Sequence, residues 1–281
     1  QGHEITVLTR SPATAKQRWP RINAVDGVSG LVGQFDRVLN LAGEGIANKR
    51  WSEERKQVLM KSHVDLTKSL ARWAESTQQQ FRLVLSGSAV GYYGGLQGSQ
   101  AQQTVTETSP AGNDFGAQLC REWEAAAEPL EACSERTVLL RTGLVLGPGG
   151  GLLDRLWLPF RMGAGGRMGN GKQMMSWIHI EDYCEAVDHL VKATVTGAVN
   201  MTAPHPVSNQ EFTRELAAVL RRPALLPMPA PALRLLFGEM SELLLNGQCA
   251  LPKVLQGNGF SFRFRHLSPA LQNIVAVRKG D

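Results

Sequence analysis

The stretch that most constrains the fold is residues 37–44, RVLNLAGE, where an apolar run passes directly into Ala42 and Gly43. A continuous apolar run that ends in small residues is typical of a parallel strand covered on both faces. Small residues at its carboxyl end let a flat ligand lie against the backbone, and ligands bind at that end in open α/β sheets. The same pattern also fits a strand that leaves the core through an ordinary turn.

Strands and helices are predicted to alternate through the first half of the chain. The predicted strands cover residues 4–10, 21–25, 37–42, 81–86 and 136–141. Ser52 caps a long helix, and a second helix covers 115–133. Helical spacing assigns the inner face of the first helix to Val58, Leu59, Ser62, Leu66, Leu70 and Trp73. This alternation predicts an α/β fold with a doubly wound parallel sheet.

Glycine-rich breaks predict a second, less regular unit in the rest of the chain. Residues 147–151 form a flexible break. The glycine-rich loop 163–171 lacks the GxxxxGK[ST] spacing of a phosphate loop, so we interpret it as a lid. Ser208 opens a helix with a capping box, and the proline-rich residues 223–231 predict an extended spacer.

Composition argues against several kinds of protein. Hydrophobic residues make up 43 % of the 281 residues and charged residues 20 %, as is ordinary for a globular protein. The 4 cysteines form no CxxC pair, which argues against a zinc site or a disulfide framework and favours a reducing cytoplasm. No apolar run approaches the ~20 residues of a membrane helix. The net charge is +5, but the basic residues are scattered, which argues against nucleic-acid binding.

Six segments, in order along the chain, carry a family resemblance. They are ITVLTR (5–10), VLNLAGE (38–44), SGSAVGYYG (86–94), LLRTGLVLG (139–147), WIHIEDY (177–183) and FGE…LL (from 237). Together they resemble the epimerase-like, extended short-chain dehydrogenase/reductase superfamily. More narrowly, they resemble its atypical bacterial "epimerase family protein" group, which has its own small C-terminal domain. The resemblance covers essentially the whole chain.

The resemblance implies two domains. A Rossmann-like dinucleotide-binding domain is expected at 1–146, with a return segment near 176–202, and a smaller C-terminal α/β cap at 147–281. His179 and Asp182 match the family's IHxxD segment. Asp182 is predicted to open a helix, and the two residues are expected to tie the cap to the sheet through hydrogen bonds and a helix cap.

The family's first strand and its Gly-x-x-Gly-x-x-Gly loop have no counterpart in this sequence. The chain begins about where the first helix of that fold should end. We therefore expect an unpaired slot at the position of a central strand, where each buried N–H or C=O group without a partner costs about 1–3 kcal/mol. If this is the whole polypeptide, we expect weak cofactor binding and poor stability.

The resemblance implies NADP as the cofactor. An acid at the end of the strand after the first helix would bind a ribose 2′-hydroxyl, whereas a base accommodates a 2′-phosphate. Thr9 and Arg10 occupy that place, and no acid follows immediately. The alternatives are that Arg10 is a solvated base and that His63 is structural. The implied cofactor-binding residues are Thr9, Arg10, Leu41, Ala42, Gly43, His63, Ser86, Gly87, Thr142, Gly143, Leu144 and Val145.

The implied catalytic residues depart from the family pattern. Ser88 lies where the family has its catalytic Ser or Thr, whose hydroxyl can hydrogen-bond a substrate carbonyl. The hallmark Tyr-x-x-x-Lys pair is absent, because Phe115 and Leu119 occupy those positions. Phe cannot donate a proton, so hydride transfer loses its usual acid unless another group, such as Tyr92, substitutes. Tyr92 and Tyr93 are alternatively packed walls of the pocket.

Three functions stay open on these residues. The leading one is an NADP-dependent oxidoreductase or epimerase-like enzyme that acts on a small carbonyl or alcohol. The missing Tyr and Lys favour a non-catalytic NADP(H)-binding sensor. The missing glycine-rich loop allows a cofactor-free interaction domain. A homodimer is one further expectation, since members of this superfamily often dimerise through helices.

Overall fold

The computed structural model describes residues 2–280. Its strands are β1 Thr6–Leu8, β2 Asn23–Val25, β3 Arg37–Asn40, β4 Leu83–Ala89, β5 Thr104–Val105, β6 Thr137–Thr142, β7 Leu144–Leu146, β8 Met174–Met175, β9 Trp177–His179, β10 Gly197–Met201, β11 Val207–Ser208 and β12 Cys249–Ala250. Its helices are α1 Pro12–Arg18, α2 Glu53–Met60, α3 Leu66–Ser76, α4 Phe115–Ala127, α5 Gly151–Arg161, α6 Ile180–Lys192, α7 Asn209–Leu220, α8 Ala230–Phe237, α9 Glu242–Leu245, α10 Lys253–Gly257 and α11 Leu267–Gly280. Within the described range, none of these helices has both the length and the apolar character needed to cross a bilayer.

A parallel sheet of four strands, in the order β10-β6-β4-β3, forms the centre of the fold. β1 and β2 form a separate parallel pair. One face of the large sheet packs under α6, through Leu83, Leu85 and Leu190, and the other face packs against α3 and α4. Helices on both faces of a parallel sheet confirm the predicted doubly wound α/β fold.

The prediction that β3 is covered on both faces is wrong. Leu39 and Leu41 are 49 % and 48 % exposed. The reason is the position of the strand: within residues 2–280, β3 forms ladder hydrogen bonds with β4 alone, so it is an edge of the large sheet. The apolar rim at its carboxyl end is therefore open to solvent.

The inner face predicted for the helix after Ser52 is correct only in part. Ser52 caps α2 through its side chain, which accepts a hydrogen bond from the Arg55 N–H. Leu59 is buried, but Val58 is exposed. A turn of π-helix at Lys61–Asp65 joins α2 to α3, and its extra residue shifts the buried face to His63.

Two further predictions about element ends and loops are corrected. The strand predicted over 81–86 continues to Ala89 in β4, so Ser86–Ser88 lie inside the ladder instead of beyond it. The loop 163–171, interpreted as a lid, bonds to the proline-rich spacer: the Gly169 N–H donates to Met228 O, and the Met228 N–H to Arg167 O. A loop held by backbone bonds to an extended strand is part of the cap's framework.

The C-terminal part of the chain contacts the loop that follows β3. Arg155 on α5 donates to the Ala47 carbonyl at 2.5 Å and to Asn48 Oδ1 at 2.7 Å. Glu239, just after α8, pairs with Lys56 on α2 at 2.6 Å. These contacts bring the C-terminal part of the chain to the loop after β3, at the edge of the sheet where the predicted site residues lie.

The IHxxD segment joins β9 to α6 and holds the C-terminal chain. The helix cap is His179, whose Nδ1 accepts the Glu181 N–H, and the prediction that Asp182 opens the helix is wrong. Asp182 lies in the first turn of α6 and is fully buried. Its carboxylate accepts the N–H groups of Arg263 and Phe264 at 2.8 and 2.9 Å. Both residues thus have the predicted structural role.

Candidate functional site

The carboxyl ends of parallel strands meet at one edge of the sheet, and most predicted site residues lie there. Leu41–Gly43 follow β3, and Thr142 ends β6. The register places Asn40 beside Ser86, and Ser88 beside Arg141. In open α/β sheets this edge is the ligand-binding edge.

A buried chain of hydrogen bonds begins at Ser88. The Ser88 hydroxyl donates to Glu124 Oε1 at 2.6 Å. Arg141 donates from Nε to Oε1 and from Nη2 to Oε2 of the same carboxylate, both at 2.9 Å. Arg141 Nη1 also donates to the Tyr93 hydroxyl at 3.2 Å, and that hydroxyl donates to Asn200 Oδ1 at 2.6 Å. All five side chains are buried.

The charges of this network are fixed by its geometry. Burial disfavours the charge on Arg141, but the two hydrogen bonds to Glu124 outweigh burial and raise the pKa of the guanidinium. Burial also raises the pKa of the Tyr93 phenol, although the bond from Arg141 opposes it. Tyr93 is therefore a packed wall that stays protonated. The single proton of the Ser88 hydroxyl points at Glu124, so donation to a substrate carbonyl would require this bond to break.

Tyr92 lies at the outer end of the network. Its ring stacks on the Arg141 guanidinium, with Arg141 Cζ 3.4 Å from the ring centroid, and meets the Tyr93 ring edge-on. The ring is half-buried. Among the described residues, the Tyr92 hydroxyl has no hydrogen-bond partner.

Phe115 and Leu119, in the positions of the family's Tyr and Lys, lie in an apolar cluster. Leu119 packs with Leu59, and Phe115 meets the Trp51 ring edge-on at 5.0 Å. The Trp51 indole N–H donates to the Ile46 carbonyl at 2.9 Å. The packed side chains of this cluster supply no general acid at these two positions.

His63 packs against the bare backbone of Gly43. Its Nδ1 lies 2.7 Å from the Leu59 carbonyl, and its ring meets the Trp123 indole edge-on at 4.5 Å. Burial lowers the pKa of the imidazole, so it is neutral at pH 7. A Cβ at residue 43 would collide with His63 Nε2. The glycine therefore leaves room for this imidazole, as the structural alternative for His63 requires.

Glu44 lies between two arginines at the rim. Arg10, 92 % exposed, donates from Nη1 to Glu44 Oε1 at 3.3 Å. Arg55, only 9 % exposed, donates from both Nη atoms to Glu44 Oε2 at 3.4 Å and from Nη2 to the Gly45 carbonyl at 2.9 Å. Thr9 is turned to its own chain, where its hydroxyl accepts the Ser11 N–H. No acid directly follows Arg10 in the sequence, but Glu44, in the loop after β3, places a carboxylate beside it.

The predicted cofactor-binding residues inside the strands face protein. Ser86 is fully buried, and Trp123 covers the face of Gly87, where a Cβ would lie 2.7 Å from the indole. The Thr142 hydroxyl donates to the Leu140 carbonyl. A Cβ built on Gly143 would lie 2.6 Å from the Ser176 carbonyl oxygen, so protein fills that space too.

Leu144 and Val145 belong to β7, which pairs with β9. Leu144 packs on the core of the cap, and Val145 packs on the core beneath the sheet. Both side chains are partly buried. Their role beside a cofactor stays a prediction, as do those of the other site residues.

Glu124, Arg141 and Glu44 were missed as site residues in the sequence. Arg141 gave a signal, because a charge inside the apolar run LLRT must find a buried partner. Glu124 gave only a weak one, since it is one of several acids on α4. Glu44 directly follows the small residues of β3, but its approach to Arg10 depends on contacts between distant segments.

A doubly wound parallel sheet with polar residues at its carboxyl edge defines the Rossmann-like class of proteins. Residues 1–202 match the family described as "NAD dependent epimerase/dehydratase family", and residues 228–274 match a "domain of unknown function (DUF1731)". The chain therefore belongs to the NAD dependent epimerase/dehydratase family, as the sequence resemblance predicted.

Similar proteins support this assignment over nearly the whole chain. The mouse (Mus musculus) epimerase family protein SDR39U1 is 37 % identical, over 98 % of this chain and 92 % of its own length. YfhF of Bacillus subtilis is 34 % identical, over 99 % and 92 %. The crystal structure of human SDR39U1 (isoform 2) with NADPH superposes with a TM-score of 0.88 at 32 % identity, covering 98 % of this chain and 92 % of that one.

Proposed function

We propose that this protein is an NADP-dependent oxidoreductase or epimerase-like enzyme that acts on a small carbonyl or alcohol. The observation that carries the proposal is the exposed Arg10 guanidinium, which contacts Glu44 in the loop after β3, the loop that begins with the half-exposed Leu41. An apolar surface beside a cation suits a purine nucleoside that bears a 2′-phosphate. The similar human crystal structure was determined with NADPH, which supports the same cofactor.

The residues present fit such a cofactor at its adenosine end. Arg10 would hold the 2′-phosphate, and the rim formed by Leu41, Ala42 and Gly43 would lie beside the adenosine. NADPH, when bound, supplies a hydride for the carbonyl carbon. The carbonyl oxygen then needs a proton, and the Tyr92 hydroxyl, stacked on Arg141, is the group of this chain best placed to donate it.

Titration of the nucleotide fluorescence tests the proposal. NADPH should bind to the wild type. Arg10→Gln should raise the dissociation constant of NADPH about tenfold or more, since a hydrogen bond to a charged group contributes about 1.5–3 kcal/mol. NADH binding should be unchanged in that variant. A protein that binds neither nucleotide would be the cofactor-free interaction domain, and the proposal would fail.

A non-catalytic NADP(H) sensor is the second candidate. It is favoured by the apolar packing of Phe115 and Leu119 and by the bond that directs the Ser88 hydroxyl to Glu124. NADPH absorbance followed with a panel of small aldehydes and ketones separates the two candidates. Consumption of NADPH supports the enzyme, and tight binding with no consumption supports the sensor.

A further inference from the structure

The Glu44 carboxylate contacts a buried arginine on one side and an exposed arginine on the other. Its Oε2 accepts from the buried Arg55, and the Glu44 N–H donates to Ser62 Oγ at 3.1 Å. Its Oε1 accepts one hydrogen bond from Arg10, whose side chain is 92 % exposed. An exposed ion pair is weak, with a median of about 0–1 kcal/mol. The contact between Arg10 and Glu44 is therefore the one that a ligand can displace.

The position of Glu44 matters because Arg10 is the base proposed to bind the 2′-phosphate. A carboxylate bound to that guanidinium occupies the place that the 2′-phosphate would take, and its negative charge repels the phosphate. A carboxylate at this end of the sheet is also the group that accepts a ribose 2′-hydroxyl in NAD-binding folds. Glu44 thus opposes one cofactor and suits the other.

We propose that Glu44 is a specificity-determining residue that reduces the preference of this site for NADP(H) over NAD(H). Its carboxylate competes with the 2′-phosphate for Arg10, and it accepts the 2′-hydroxyl when the phosphate is absent. The proposal rests on the proposed function, because it requires the phosphate to lie on Arg10. On phosphate binding, Glu44 stays paired with Arg55, so the loop after β3 keeps its anchor.

The test compares the dissociation constants of NADPH and NADH for the wild type and for Glu44→Gln. The variant should bind NADPH about 1.4- to 5-fold more tightly, the range that corresponds to an exposed ion pair, and NADH no more tightly than the wild type. Glu54→Gln is the matched control, since Glu54 is an exposed carboxylate on α2 outside this network. It should leave both constants unchanged.

A second experiment, in the Arg10→Gln variant, tests the contribution of the ion pair between Arg10 and Glu44. In Arg10→Gln, the additional change Glu44→Gln should favour NADPH less than it does in the wild type, because only the repulsion between the carboxylate and the phosphate is left to relieve. If Glu44→Gln unfolds because Arg55 loses its partner, Glu44→Asp keeps that charge and draws the carboxylate back from Arg10, so it should shift the NADPH/NADH ratio in the same direction.

An unchanged or lowered preference for NADPH in a folded Glu44 variant overturns the inference and leaves the proposed function standing, provided that NADPH binds the wild type. Absence of NADPH binding to the wild type overturns both. The two failures are therefore distinguishable in one titration series.

Discussion

The hydroxyl of Ser88 donates to the carboxylate of Glu124 across 2.6 Å, and both side chains are buried. A hydrogen bond to a charged acceptor contributes about 1.5–3 kcal/mol. We therefore expect Ser88→Ala to lower the free energy of unfolding by about that amount in urea denaturation. Ser69→Ala, which removes an exposed hydroxyl on α3, should change it by less than about 0.5 kcal/mol. Equal effects of the two changes would contradict the structural role of the Ser88 bond.

Glu124 compensates the buried charge of Arg141. Glu124→Gln leaves that guanidinium without its counter-ion, and breaking a buried pair by removing one partner costs about 3–5 kcal/mol. We expect a loss of that size in the free energy of unfolding. Glu122→Gln removes an exposed carboxylate from the same helix and is the matched control. A small loss in Glu124→Gln would mean that Arg141 reaches solvent.

Tyr92 is the phenol proposed to donate a proton. With any carbonyl substrate that consumes NADPH, Tyr92→Phe should lower kcat about 10²–10⁴-fold, because general acid catalysis contributes that much. The dissociation constant of NADPH should not change. Tyr183→Phe alters a phenol buried in the core and should leave kcat near the wild-type value. Full activity in Tyr92→Phe would remove Tyr92 from the mechanism.

Local signals in the sequence predicted the elements well. The caps at Ser52 and Ser208 need only a hydroxyl and an N–H three residues apart, and both form as predicted. The strands at 81–86 and 136–141 were recognised as apolar runs because each is short and buried, although β4 runs three residues further.

Contacts between distant segments were not predictable in the same way. The exposure of Leu39 depends on which strands flank β3, and the sequence of β3 does not state this. Arg10 and Glu44 are 34 residues apart, and their meeting depends on the relative position of β1 and β3. The position of Arg141 in an apolar run indicates a buried charge, but only the packing of α4 on the sheet identifies Glu124 as its partner.

Gly43 gives a direct test of packing at the rim. Gly43→Ala forces its new methyl group into the His63 imidazole, and overpacking costs about 1–3 kcal/mol. We expect a loss of this size in the free energy of unfolding. Gly150→Ala is a suitable control, because a Cβ there meets no heavy atom within 4 Å. In the double variant with His63→Ala, the loss should be smaller than the sum of the two single losses, since the two changes share one contact.

His179 should make the protein sensitive to acid. Its Nδ1 accepts the Glu181 N–H at the start of α6, so protonation of this atom removes the helix cap. Burial lowers the pKa of the folded imidazole below its ordinary value of 6.5, although Glu181 opposes this. The unfolded chain therefore binds more protons at pH values below about 6.5, and stability falls as the pH drops through that window.

Between pH 7.5 and 5.5 we expect His179 to lower the free energy of unfolding, by at most about 1.4 kcal/mol, as measured by urea denaturation. His179→Asn keeps a side-chain acceptor at the cap but does not titrate. Its loss of stability between pH 7.5 and 5.5 should therefore be smaller than that of the wild type by the contribution of His179. His3→Asn, at an exposed position near the start of β1, should follow the wild-type profile. If His179→Asn and the wild type lose stability in parallel, other groups must account for the acid sensitivity, and α6 must retain its cap at low pH.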